Sequence, residues 1–209
     1  MERLPEKTVE RLSHYRRVLQ RLLDIKKEYI YSHELAKLLH ITPVQVRRDI
    51  MLIGHTGTLR KGYRISDLVE LISKIIDSEE PQNVAIVGFG NLGNALLNYI
   101  NSNVSSMAVK AIFDVDKQKI GTSFNNVICH STDKISEIIK RDNIVIALLT
   151  LPPSEAQRTA NILADAGIRG IINYTPTILN VEGVFLEQYD MITSLEKAAY
   201  FTKPEFFLG

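Results

Sequence analysis

A chain of 209 residues has room for one large or two small domains, and 45% hydrophobic against 23% charged residues is the balance of an ordinary globular protein. No apolar run approaches the ~20 residues of a membrane span, and the start Met1-Glu2-Arg3-Leu4-Pro5-Glu6-Lys7 lacks the apolar core of a signal peptide, so a cytoplasmic protein with no membrane partner is expected. The net charge of +1 is uneven: residues 1–78 hold 15 Lys and Arg against 10 Asp and Glu, the rest 10 against 14, which points to a polyanion partner for the N-terminal third alone.

Residues 6–24 carry Val9, Leu12, Tyr15, Leu19, Leu22 and Leu23 near a helical period, with Arg11, Arg16, Arg17 and Arg21 on the other faces, so an amphipathic helix is predicted. Ser32 precedes a short helical pattern with Leu35, Leu38 and Leu39. Thr42-Pro43-Val44-Gln45 then reads as an N-cap, an N1 proline and a capping-box glutamine. On the helix it starts, Val46, Ile50 and Ile53 share one face, while Arg48 points nearly opposite, flanked by Val44, Gln45, Arg47 and Met51. Two short helices joined by a tight turn, the second with Gln and Arg outward, form a helix-turn-helix. Gly54 and Gly57 end it, and residues 58–65 suit a small hairpin bearing Arg60, Lys61 and Arg64, the wing of a winged helix. Arg47, Arg48, Arg60, Lys61 and Arg64 are then expected along double-stranded DNA, mostly on phosphates, with Gln45 and Arg48 reaching base edges. The plainer alternative is a small helical bundle with a solvated basic face. A helix over about 66–77 leads to Asp77-Ser78-Glu79-Glu80-Pro81-Gln82, a charged boundary that closes a DNA-binding domain at 1–80.

The strand-like run Val84-Ala85-Ile86-Val87 enters Gly88-Phe89-Gly90-Asn91-Leu92-Gly93. Such a turn is weak by itself, but between a strand and a helix it has a mechanism: the first Gly turns the chain, the second admits a pyrophosphate, and the third lets helix and strand approach. The helix N-terminus adds unpaired N–H groups and the positive end of its dipole. A second run, 109–113, ends in Asp114, 21 residues after Gly93, where a carboxylate accepts from ribose hydroxyls and repels a 2′-phosphate. NAD(H) is therefore the expected cofactor, and no metal is expected. Cys129 beside His130 resembles a thiolate pair, but no orienting partner is visible and a loop-edge coincidence is the simpler reading.

Residues 144–149 read as a buried parallel strand, 154–166 as a helix and 168–172 as a further strand. Alternation of this kind makes a Rossmann-type doubly wound parallel sheet over 81–193, so the fold class is α/β. Thr150 and Asn173 fall at strand carboxyl ends, where ligands of such sheets lie. The segment 194–209 begins as a helix with Leu195, Ala198, Ala199 and Tyr200, too apolar for a free tail, and a second subunit is the natural place to bury it.

With these residues in view, the chain resembles the bacterial redox-sensing repressor family Rex over nearly its whole length. The resemblance is carried by Arg11-Leu12-x-x-Tyr15-x-Arg17, Gln45-Val46-Arg47-Arg48-Asp49, Gly54-x-x-Gly57, Gly62-Tyr63, the glycine turn, Phe113-Asp114-Val115-Asp116 with Lys119-Ile120-Gly121, Ala147-Leu148-Leu149-Thr150, Ala166-Gly167-Ile168-x-Gly170-Ile171 and Asn173-Tyr174-x-Pro176. It implies a homodimer of winged-helix and Rossmann domains with the C-terminal helix swapped onto the partner. It also implies an inverted-repeat operator that is bound when NADH is scarce and released when NADH binds. By position, Tyr99 resembles the tyrosine that senses the nicotinamide end, and Arg17 and Asp190 the charged pair linking one subunit's N-terminal domain to its partner's Rossmann domain. The chain departs from the family in its wing, where Leu59-Arg60 replaces an arginine followed by glycine, so Arg60 is expected to supply the charge from one position further on. Leu52, Ile53 and Thr56 also replace aromatic residues at the end of the recognition helix.

Two competing readings remain at this stage. An NAD-dependent oxidoreductase with a helical appendage needs a placed acid or base and a substrate domain, and only Thr150, Asn173 and His130 are on offer. A DNA-binding protein whose Rossmann domain is only a dimerisation platform would not need Asp114 and an intact glycine turn.

Overall fold

Extended backbone at Pro5 releases the chain into α1 (Glu6–Asp24), which buries Leu12, Tyr15 and Leu19 at the helical period and leaves Val9 and Leu23 exposed at the edges of the stripe. The computed structural model describes residues 3–58, 61–78, 80–103 and 106–206, which fall into two units, Met1–Glu79 and Glu80–Gly209. In the first, α1 is followed by β1 (Tyr29–Ile30), α2 (Ser32–Leu39), α3 (Pro43–Leu52), β2 (Tyr63–Arg64) and α4 (Ile65–Ile76). One core joins the four helices through Leu12, Tyr15, Leu35, Val46, Ile50 and Leu68.

Thr42 caps α3 as its sequence requires, its hydroxyl accepting from the Gln45 N–H at 3.2 Å. The glutamine does not close the box: its amide turns along the helix and donates to Asp49 Oδ1 at 2.9 Å. The hairpin expected over 58–65 is also different. Thr58 and Gly62 exchange two backbone hydrogen bonds of 2.9 Å, and the return strand β2 pairs antiparallel with β1, Tyr29 opposite Arg64 and Ile30 opposite Tyr63. Leu59 and Arg60, the altered wing positions, lie outside the described residues.

The second unit runs β3 (Gln82–Val87), α5 (Asn91–Asn103), β4 (Met107–Asp114), β5 (Ser123–Phe124), β6 (Val127–Ser131), α6 (Ile135–Arg141), β7 (Ile144–Leu149), α7 (Pro153–Ala166), β8 (Gly170–Asn173), β9 (Phe185–Gln188) and α8 (Met191–Phe201). Its sheet has the order β5-β6-β4-β3-β7-β8-β9, parallel throughout except for the short antiparallel β5. The order reverses at β3, which has β4 on one side and β7 on the other, so the switch point where such sheets bind ligands lies at the end of β3.

The two faces are covered unequally. Ile135, Ile138 and Ile139 of α6 and Ala156, Ala160 and Leu163 of α7 pack on one, while Leu97 and Ile100 of α5 serve the other. On that second face Ile146, Ile172 and Phe185 line an open cavity of about 440 Å³ near the amino ends of the strands. α8 begins at Met191 rather than 194 because Asp190 caps it, accepting from the Ile192 and Thr193 N–H groups at 2.9 and 3.2 Å. It buries none of its residues within the chain.

Candidate dinucleotide site and nucleic-acid surface

The glycine turn is held by the neighbouring strand end. The Thr150 N–H donates to the Val87 carbonyl at 2.9 Å, and its hydroxyl donates to the Gly88 carbonyl at 2.5 Å. Gly88 sits at φ +90°, and a Cβ there would stand 2.7 Å from the Thr150 carbonyl oxygen. A Cβ on Gly93 would press into the Gly88 carbonyl and come within 3.1 Å of Thr150 Oγ1 and 3.2 Å of Ile86. A Cβ on Gly90 would meet nothing within 4 Å. Two glycines therefore allow close packing, and the third keeps an open approach to backbone at the mouth of α5, which fits a pyrophosphate.

Asp114 is buried at the end of β4 and already occupied. It accepts from the Phe89 N–H at 2.7 Å, the Asp116 N–H at 2.8 Å and the Lys119 ammonium at 3.2 Å. Burial pushes its pKa up, but these donors outweigh it and hold the carboxyl below its ordinary value. A carboxylate has about four lone-pair directions, so Asp114 can brace the turn and still receive a ribose hydroxyl. Phe89 points inward, its ring 4.6 Å from that of Phe124. Asn91 and Leu92 open α5 on the exposed side, and Tyr99, eight residues along the helix from Asn91, is 61% exposed.

The two residues expected to line the rim have other duties. The Thr150 hydroxyl is used inside the turn. Asn173 is 0% exposed: its amide donates to the Thr177 carbonyl and Gln188 Oε1 at 2.8 and 2.9 Å, and its oxygen accepts from the Thr175 N–H and hydroxyl at 3.0 and 2.8 Å. It knots the β8–β9 connection together. Beside it, half-buried Tyr174 and exposed Tyr189 stack with their ring centres 5.3 Å apart at 13°.

In the first unit Arg47, Arg48, Lys61 and Arg64 are all exposed. Arg47 reaches Ser32 Oγ at 3.1 Å, Lys61 lies 5.4 Å from the centre of the Tyr29 ring, and Arg64 is 3.8 Å from Asp67. Gln45, expected at base edges, is instead tethered to Asp49. That carboxylate is the hub between α1 and α3. Arg11 grips it with Nε at 2.6 Å and Nη2 at 2.8 Å, and the Tyr15 hydroxyl donates to it at 2.7 Å. Burial raises the pKa of Asp49, but the bonds from Arg11, Tyr15 and Gln45 hold it below the usual carboxylate range. Arg17 is exposed on α1, while Asp190 spends both its oxygens on the first turn of α8.

Residues 3–50 match the family described as a putative DNA-binding protein N-terminus, and residues 79–177 match the CoA binding domain family. Across the whole chain, 38% of residues are identical to the redox-sensing transcriptional repressor Rex of Syntrophobacter fumaroxidans, over 95% of both chains. The Rex protein of Shouchella clausii is 36% identical over 96% of this chain and 95% of its own. The chain belongs to the Rex family of redox-sensing transcriptional repressors. Solved Rex structures agree. RSP, a Rex-family repressor, matches with a TM-score of 0.86 and 31% identity over 99% of this chain and 97% of its own. In complex with β-NAD+ and operator DNA, RSP matches at 0.91, and with β-NADH at 0.87.

A Rex-family chain is a regulator and not an enzyme, and the residues nearest to chemistry here have structural work. Cys129 is not at a loop edge but on β6, fully buried, its thiol pushed up to about 11 first by burial and then by the Asp114 charge. His130 faces the other side of the strand, its ring 6.0 Å from that of Phe113. Among the described residues no three His, Cys, Asp or Glu side chains gather as a metal site, and no helix is long and apolar enough to cross a membrane.

Proposed function

We propose that this chain senses the NADH/NAD+ ratio: its first unit holds an inverted-repeat operator, and NADH in the glycine turn of the second releases it. The observation that carries the reading is the open approach at Gly90, kept on a turn whose other two glycines are packed shut, in a chain that also carries a basic recognition helix. A ligand shifts a two-state protein only by its differential affinity for the two forms, so NADH must favour the released form more strongly than NAD+ does. Titration of the operator complex tests this. NADH is expected to bind unchanged and to displace the operator, with NAD+ displacing it far less; consumption of NADH, or binding with no effect on DNA, contradicts the reading.

On α3, Arg48 is the base reader and Arg47 a phosphate contact, with Lys61, Arg64 and Arg60 along the wing. Arg48→Ala is expected to cost roughly 1–3 kcal/mol per half-site and relax base preference, whereas Arg47→Ala or Arg64→Ala should flatten the log–log salt slope by about one per half-site with preference intact. Fluorescence-anisotropy titrations at several salt concentrations distinguish the two behaviours.

The active form is a homodimer. What supports this is the sheet face that α5 leaves half covered and the apolar side of α8, with Leu195 63% exposed; swapping α8 onto a partner buries it. Because Leu195 touches no core within the chain, Leu195→Asp should preserve the fold and raise the dimer dissociation constant about a hundredfold or more, two apolar side chains of roughly 1.5–3 kcal/mol each being lost per dimer. Light scattering measures the mass; an unchanged dimer puts the interface elsewhere. Tyr99 is the residue proposed to read the nicotinamide end, and Arg17 with Asp190 of the partner subunit the switch pair. Asp190 also caps α8, so its charge is best tested with Asp190→Asn, which keeps a capping oxygen.

A further inference from the structure

Helix α4 is apolar on two sides. Ile65, Leu68 and Ile72 are fully buried in the core of the first unit, at the helical period. Leu71 and Ile75 make a second stripe beside the first, with Lys74 next to them on the same face, and this stripe is only half-buried. It opens onto a cavity of about 630 Å³, completed by Leu4 and Pro5 ahead of α1 and by Leu52 and Ile53 at the end of α3. Small-molecule sites fall between about 300 and 1,000 Å³, so the space is of ligand size.

The walls are fixed by the fold itself. α3 ends in a left-handed turn at Gly54, φ +80°, where the Gly54 N–H donates to the Met51 carbonyl at 2.9 Å and the His55 N–H to the Ile50 carbonyl at 3.1 Å. These are the two bonds of a Schellman cap, so Leu52 and Ile53 are carried on closed backbone. Leu4 and Ile53 also rest on the core of the unit. The charge of the lining is one-sided. Arg3 and Lys74 are both exposed there, and among the described residues that line the cavity there is no carboxylate and no aromatic ring. Glu70, one turn back on α4, accepts from the Lys74 ammonium at 2.6 Å, which leaves two of the three ammonium donors for a ligand.

An aliphatic floor with two cations over it suits an anion with a saturated tail. A polar metabolite would set its hydroxyls against leucine and isoleucine, and a flat heterocycle would find no ring to stack on. A guanidinium and an ammonium hold carboxylate oxygens by charge-assisted hydrogen bonds, while a tail laid along Leu71, Ile75 and Ile53 takes apolar surface on both sides out of water. We propose that this groove is a binding site for a medium-chain acyl carboxylate. Its occupant touches the last turn of the helix that carries Arg47 and Arg48, and the site requires neither the dinucleotide nor a second subunit.

Calorimetric titration of the full chain with octanoate, octanol and butyrate is the experiment, with light scattering on the same samples to report the assembly. Octanoate is expected to bind at about 100 μM or tighter. Octanol, which lacks the charge, and butyrate, which lacks most of the tail, should each bind at least about tenfold more weakly. Arg3→Gln combined with Lys74→Gln alters two exposed side chains and should bring octanoate down to the octanol level. Leu71→Trp fills the groove and should remove octanoate binding. A wild-type chain that ignores octanoate, octanol bound as tightly as octanoate, or unchanged octanoate affinity in either variant overturns the proposal. A change of mass in the glutamine variant overturns it too, because the groove is then a contact between subunits.

Discussion

Asp49→Ala is expected to abolish operator binding while leaving NADH binding intact. The carboxylate is buried at the contact of α1 with α3 and receives four hydrogen bonds, two from Arg11 and one each from Tyr15 and Gln45. Its removal leaves a half-buried guanidinium and a buried phenol without their acceptor, and breaking a buried pair from one side costs roughly 3–5 kcal/mol. That is a large share of what a unit of this size has to lose. Asp49→Asn separates charge from shape: it keeps one oxygen, for one Arg11 nitrogen and either Tyr15 or Gln45, but turns an amide NH2 toward the other Arg11 nitrogen and the remaining donor, so an intermediate loss is expected. The pH dependence has a fixed sign. The folded carboxyl titrates below its usual value, so its stabilisation is fully present above the unfolded pKa, near about 4, and is lost as pH falls through the lower folded value. Thermal melts with operator and NADH titrations on each variant measure all three effects. An Asp49→Ala protein with wild-type melting and operator affinity would show that α3 is held by its apolar contacts alone.

What the sequence disclosed, and what it hid, follows from where the information lies. The Thr42-Pro43 start of α3 and the run Ile144–Leu149 are local signals, a cap and a continuous apolar strand, and both elements lie where those signals put them. The partner of β2 was invisible because a two-residue strand has no period to detect. α6 did carry a signal, Ile135, Ile138 and Ile139 at i, i+3 and i+4, but over seven residues it is too short to separate from a loop. β6 and β9 are short and mix polar with apolar residues, so their pairing is decided by the sheet they join. The site residues divide in the same way. The spacing of Gly88, Gly90 and Gly93 encodes a turn, because the requirement is steric and local. Asn173 and Gln45 read from sequence as facing solvent, as polar side chains at a strand end or on a helix flank do; the partners that hold them, Gln188 and Asp49, are known only once the chain has folded.

The glycine turn supplies the sharpest separation of binding from folding, because Gly90 and Gly93 lie three residues apart and should fail in opposite ways. A methyl on Gly93 collides with the Gly88 carbonyl, which is itself held by the Thr150 hydroxyl, so α5 must move off β3. Forcing a carbon into such a contact typically costs 1–3 kcal/mol, and Gly93→Ala is expected to melt several degrees lower and lose NADH through a distorted turn. Gly90 has an unstrained φ and open space where its Cβ would go. Gly90→Ala should therefore melt within about 1 kcal/mol of the parent, reduced freedom of the unfolded chain offsetting a slightly poorer helix start. Its new methyl occupies the approach to the backbone, and NADH affinity should fall at least about tenfold, the 1.4 kcal/mol of one lost close contact with the pyrophosphate. The consequence for regulation is a repressor that still binds its operator but no longer lets go when NADH is added. Melting curves and NADH-dependent operator release on the two variants decide the matter: full NADH response in Gly90→Ala would mean that the pyrophosphate lies elsewhere, and wild-type melting in Gly93→Ala would mean that α5 is free to slide along β3.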